Sequence, residues 1–134
     1  MKVVIDTSIW SLALRRSQAS ANNPYVILLR DLIADSRVAL LGSVRQEILS
    51  GIRYTEQHDR LKNYLRAFPN IELDVKDYEL ASEFYNSCRR NGVQGANTDF
   101  LICAVSVRRN YEILTVDKDF EGFRPHIPIS LMET

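Results

Sequence analysis

Val3-Val4-Ile5-Asp6-Thr7-Ser8, two residues in from the amino terminus, is the stretch from which the fold can be read. Three consecutive apolar β-formers predict a strand buried on both faces, the pattern of a parallel sheet covered by helices. The run then ends on a carboxylate and two hydroxyls. A charge is costly next to a core unless it is paired. Asp6 therefore either caps the next element through the amides of Thr7 or Ser8, or belongs to a site at the end of the strand.

Working outward, Asn23-Pro24 supplies a cap and a first helical residue, and Tyr25, Leu28, Leu29, Leu32 and Ile33 recur at helical spacing. Val38 to Leu41 reads as a second buried strand. Ser43 and Gln46 then predict the capping box of a short helix that carries Glu47 and closes at Gly51. Thr55 is the expected cap of the next helix, with Leu61, Tyr64, Leu65 and Phe68 as its buried stripe and Pro69-Asn70 as its stop. A short strand is expected at Ile71–Leu73. A further helix starts near Val75, turns Ala81, Phe84, Tyr85 and Cys88 inward, and ends at Asn91-Gly92. After the loop G-V-Q-G-A-N, Thr98 is the expected cap of a helix apolar on nearly every side, with Asp99 in its first turn. Glu112–Val116 reads as a strand ending on Asp117, and Pro128 confines the last strand to an edge. Strands alternating with helices give an α/β fold: a central, mainly parallel sheet, right-handed crossovers, and helices on both faces. No repeat, linker or low-complexity segment divides it, so residues 1–134 are expected to form one domain.

Composition narrows the function classes. The chain has 46% hydrophobic and 25% charged residues, and no apolar run approaches the length of a membrane helix. With no secretory signal after the amino terminus, a soluble cytoplasmic protein is expected. Cys88 and Cys103 lack metal-ligand spacing and read as two buried thiols. The 17 basic and 17 acidic residues cancel, so no global basic footprint announces a nucleic acid. Thirteen of the bases are arginine, whose planar fork suits phosphate oxygens, although solvated helix faces account for most of them equally well. His58 and His126 offer neither a zinc site nor an acid–base pair. The chain has no G-x-x-x-x-G-K-[ST], G-x-G-x-x-G or G-x-S-x-G motif.

Carboxylates remain. Asp6 and Asp117 end strands, Glu47 sits on the short capped helix, and Asp99 opens the apolar helix. Each has a local explanation: cap, solvent-facing helix acid, helix-dipole partner or turn. Those explanations do not account for four acids at positions that a parallel fold brings to one rim, beyond the carboxyl ends of its strands. Crowded carboxylates repel and raise one another's pKa unless a cation intervenes. A magnesium ion, which takes oxygen ligands and keeps positions for water and phosphate, is the economical occupant. The hydroxyls of Thr7, Ser8 and Thr115 either support such a site or cap locally.

Four blocks in order, V-I-D-T-S, V-R-Q-E-I-L-S-G, N-T-D-F-L-I-C-A and I-L-T-V-D-K-D-F, resemble those of PIN-domain nucleases, and among them the VapC-type toxins of toxin–antitoxin pairs. The resemblance spans essentially the whole chain. It implies a PIN-like α/β domain that hydrolyses RNA phosphodiester bonds with Mg²⁺ or Mn²⁺ held by Asp6, Glu47, Asp99 and Asp117. Thr7 and Thr115 are the implied hydroxyl supports, and Asp119, in the same block as Asp117, is a secondary candidate. It further implies a homodimer and a cognate antitoxin that covers the acidic cleft. Arg15, Arg16, Arg45, Arg53 and Lys118 lie near the motifs and are candidate phosphate contacts. Two alternatives stand beside this reading. One is a catalytically silent PIN-like module that binds RNA or protein. The other is a magnesium-dependent phosphatase, which expects D-x-D after the first strand where this chain has Ser8.

Overall fold

The computed structural model describes residues 1–14 and 21–134. Val3–Ile5 forms β1, and its three side chains, which alternate across the sheet, are at most 1% exposed, so both faces are covered. β2 (Val38–Ala39) and β3 (Glu112–Leu114) flank it in the order β2-β1-β3, and both pairings are parallel. Val3 sits opposite Val38 on one side and Glu112 on the other, and Ile5 opposite Leu114. Single parallel bridges continue the sheet at each edge, Leu40 to Asn70 and Ile113 to Leu131. The second of these is the edge position expected for the chain around Pro128.

Seven helices are described: α1 (Thr7–Ala13), α2 (Pro24–Ala34), α3 (Gly42–Leu49), α4 (Thr55–Leu65), α5 (Val75–Arg90), α6 (Asn97–Arg109) and α7 (Asp119–Phe123). The α1 helix packs on α2 and α3, while α6 packs on β1 and β3 with α5 along its length. The α6 helix buries Phe100, Ile102, Cys103, Ala104, Val105 and Ser106, as a helix between a sheet and a second helix must. Asn110, in the left-handed conformation, stops it. Asn23 accepts from the Tyr25 amide at 2.8 Å and starts α2 as its sequence implies. Cys88 and Cys103 are free thiols, both fully buried.

Three expected caps do not form. β2 runs almost directly into α3, so the cap position falls on fully buried Leu41, and the Ser43 hydroxyl is buried without a partner among the described residues. Thr55 and Thr98 lie inside their helices, where Tyr54 and Ala96 hold the cap positions without a side-chain bond. The strand expected at Ile71–Leu73 is also absent. Contact with the sheet is confined to one bridge, Asn70 opposite Leu40 with the Ile71 amide donating to the Leu40 carbonyl at 2.9 Å, and the Glu72 carbonyl accepts from Arg109 Nη2 at 2.9 Å instead of from a strand.

That arginine belongs to a clamp between helices. Asp74 and Asp77 exchange backbone–carboxylate hydrogen bonds of 3.2 and 2.9 Å at the start of α5, a reciprocal capping box. Asp77, with a fully buried side chain, also accepts from Arg108 Nη1 at 2.9 Å and from Arg109 Nη1 at 2.8 Å at the end of α6. The Arg109 hydrogen bond foremost, with help from the Asp74 amide and Arg108, holds this carboxyl well below the usual carboxylate range despite its burial. One end of α6 is thus fixed to α5. At its other end, Phe100 stacks on Phe123 at 4.7 Å, and Phe123 meets Phe120 edge-on at 5.4 Å. Gly95 lies against these rings so closely that a Cβ there would come within 2.5 Å of Phe123. This aromatic knot seats the loop before α6 beside the turn that leads into α7.

Candidate active site

The sheet reverses its strand order around β1, and in parallel sheets the crevice for a ligand lies beyond the carboxyl ends of the strands at such a point. Asp6 follows β1 there. It is 5% exposed and caps α1, so its local explanation also holds. Ser8 Oγ donates to its Oδ2 at 2.7 Å and Thr115 Oγ1 at 2.8 Å. Among the described residues, no hydrogen bond reaches Oδ1.

β3 ends at Leu114, two residues short of the strand expected through Val116. The reason is a change of partner. The Val116 amide donates to Ser8 Oγ at 3.1 Å and the Asp117 amide to Thr115 Oγ1 at 2.9 Å, so the chain leaves the ladder to bond hydroxyls. Asp117 therefore stands on a turn beyond the strand, not directly after it, and its Oδ1 accepts from the Asp119 amide at 2.9 Å. Thr115 joins the two sides of the site, donating to Asp6 and accepting from the backbone of Asp117. The Thr7 hydroxyl, the other expected support, is buried and makes no hydrogen bond among the described residues, whereas Ser8 bonds Asp6 directly.

Asp99, in the first turn of α6, accepts from the Ala96 amide at 3.2 Å. One carboxylate oxygen from each of Asp99, Asp117 and Asp119 lies within 4.8 Å of the others. Burial first, and then the nearby carboxylates of Asp6, Asp117 and Glu47, push Asp99 up from its ordinary 3.8 to about 6, against the lowering effect of the Ala96 amide. Glu47 is exposed on α3 and faces the same acidic rim from the wall of a neighbouring cavity. Among the described residues, no lysine or arginine pairs with any of these five acids. Such a set of oxygen ligands, without sulfur or imidazole, fits a hard divalent cation.

The candidate phosphate contacts divide. Arg45 is committed to the fold: Nε donates to Asn70 Oδ1 at 2.8 Å, Nη1 to the Leu65 carbonyl at 3.0 Å, and Nη2 to the Phe68 carbonyl. That removes it as a free cation, because its whole fork braces α3 against the end of α4. Arg53 lies over the Tyr54 ring at 5.7 Å, and Lys118 is exposed beside the acids. Arg15 and Arg16 lie outside the described residues.

The PIN-domain family model matches residues 3–124. The chain belongs to the PIN-domain family. The VapC ribonuclease Mb1587 of Mycobacterium bovis is 30% identical over 124 residues, which cover 89% of each chain, and ribonuclease VapC11 of Mycobacterium tuberculosis matches to the same extent. Among solved structures, FitAcB from Neisseria gonorrhoeae superposes with a TM-score of 0.77 at 18% identity, over 98% of this chain and 96% of that one. VapBC2 from Rickettsia felis, bound to a DNA fragment from its promoter, does so with a TM-score of 0.77 at 20% identity, over 99% and 98%. The PIN fold sets aside the phosphatase alternative. Within this PIN domain no helix is long and apolar enough to cross a membrane among the described residues.

Proposed function

We propose that this PIN domain, taken as residues 1–134, is the ribonuclease toxin of a toxin–antitoxin pair. In this reading it hydrolyses RNA phosphodiester bonds with a magnesium ion, or manganese in its place. The observation that carries the reading is the approach of Asp99, Asp117 and Asp119 to within 4.8 Å beside a buried Asp6, in a chain whose relatives are named VapC ribonucleases. Asp99 and Asp117, with Asp119 beside them, would hold the ion, and Asp6 and Glu47, the other two expected ligands, stand outside that group of three and would complete the negative rim that favours it. Bound there, a divalent ion supplies Lewis-acid polarisation of the scissile phosphate and a water-derived nucleophile at neutral pH. Asp6 is immobilised through Oδ2 by Ser8 and Thr115, which leaves Oδ1 to accept from water and orient it. Thr115 keeps Asp6 and the Asp117 turn in register while the substrate enters. The protein acts in the cytoplasm as a homodimer, and a cognate antitoxin silences it by covering the acidic rim.

Incubation of the purified protein with a panel of cellular RNAs tests the reading. Cleavage is expected in Mg²⁺ and is abolished by EDTA. Asp6→Asn is expected to lose at least about 100-fold while keeping its far-ultraviolet circular dichroism. Full activity in EDTA, or in Asp6→Asn, contradicts the mechanism.

A further inference from the structure

Glu47 belongs to the acidic rim and also to the wall of a cavity of about 670 Å³ between α1, α3 and α4. That volume is in the range of sites that enclose small organic groups. The lining is of two kinds. Ile48, Ile52 and Leu61 give it aliphatic surface, and Tyr64, a residue 49% exposed, adds an aromatic ring held edge-on by Phe68 at 5.8 Å. Gln57 and Arg60 line it as well, and among the described residues neither side chain is taken up by a hydrogen bond or an ion pair. A phosphate is a poor occupant, because one arginine faces it while Glu47 repels it. A flat, neutral, hydrogen-bonding heterocycle fits each feature: a ring to stack on, aliphatic walls, and an amide and a guanidinium for its edge.

We propose that this cavity receives an unpaired nucleobase of the RNA, next to the scissile phosphate. Tyr64 is the stacking platform, and Gln57 and Arg60 read the base edge. The inference rests on the ribonuclease reading and gives it a substrate class. A base inside a duplex reaches such a cavity only by leaving its stack, at a cost of a few kcal/mol. Single strands and loops are therefore cleaved in preference to helices.

The test compares kcat/KM on a single-stranded RNA carrying a cleaved site with the same RNA bearing an abasic ribose on one side or the other of the scissile bond. Tyr64→Ala is expected to lose about 10-fold on the intact RNA, in the range of one lost base–aromatic stack. Tyr64→Phe restores the rate. One of the two abasic RNAs costs the wild type a similar factor, and on that RNA Tyr64→Ala loses nothing further. Gln57→Ala alters the ranking of the four bases at that position. Wild-type rates for Tyr64→Ala on intact RNA overturn the proposal, and so does an equal loss on every abasic RNA. Unchanged cleavage combined with lost inhibition by a protein partner assigns the cavity to that partner instead. Absence of any cleavage by the wild type in Mg²⁺ is a different result, since it removes the ribonuclease reading itself.

Discussion

Asp99 is held in an unfavourable state by its surroundings. Burial and three neighbouring carboxylates raise it to about 6, so in the metal-free protein its ionisation opposes folding. The sign follows from the two pKa values. Below the ordinary 3.8 the group is protonated in both states and contributes nothing. As pH rises through about 6 the folded state comes to bear the full cost of the charge. Asp99→Asn is therefore expected to stabilise the metal-free protein at pH 7.5 by about 1–2 kcal/mol, discounted for the partial exposure of the site. That corresponds to about 3–6 °C in Tm, and the gain should vanish at pH 4. Saturating Mg²⁺ should raise the Tm of the wild type and leave that of the variant nearly unchanged. Thermal unfolding with and without the ion at the two pH values checks this. A variant less stable than the wild type at pH 7.5 without metal contradicts it.

At the scale of elements, the site depends on where α6 begins, and two devices at opposite ends of that helix fix it. Asp77 is one: its carboxylate lies between Arg108 and Arg109 with its side chain fully buried. Asp77→Ala takes from Arg109 its one carboxylate among the described residues, while Arg108 keeps Asp74 at 2.7 Å, and is expected to cost about 1–3 kcal/mol, read from the urea midpoint. Because the folded carboxyl lies below its ordinary 3.8, its contribution is present above that value and lost as pH falls beneath it. The variant should accordingly lie closest to the wild type in acid. A cost under about 1 kcal/mol at neutral pH contradicts the clamp. The aromatic knot of Phe100, Phe120 and Phe123 against Gly95 is the other device. Neither was legible in the letters, because Asp77 lies 31 and 32 residues from its arginines and no spacing rule joins them. Periodicity did disclose β1, the capped α2 and the all-round apolar α6, since burial there repeats at a fixed interval. It misplaced the caps of α3, α4 and α6, where the neighbouring strand or loop, not the local hydroxyl, decides where the helix begins. It also ran β3 on to Val116, because β-propensity cannot foresee that Ser8 and Thr115 take the backbone amides. The same local turn explains Asp119. Its amide bonds Asp117, and that places its carboxylate beside Asp117 and Asp99, a proximity that sequence order alone made secondary.

Across the whole molecule, a three-stranded parallel core brings together acids from residue 6 to residue 119, and the reversal of strand order around β1 gives them a shared crevice. The chain is electrically neutral overall, yet five acids without a lysine or arginine partner among the described residues gather on one rim. Neutrality of the total therefore conceals a local negative field, and the proposed function needs a divalent ion to offset it. Anomalous diffraction from a crystal soaked in Mn²⁺ tests that need most directly. The expected result is a manganese peak within coordination distance of carboxylate oxygens of Asp99, Asp117 and Asp119 that disappears in Asp99→Asn. A fully soaked crystal with no peak at this rim, or with the ion bound elsewhere, contradicts the account.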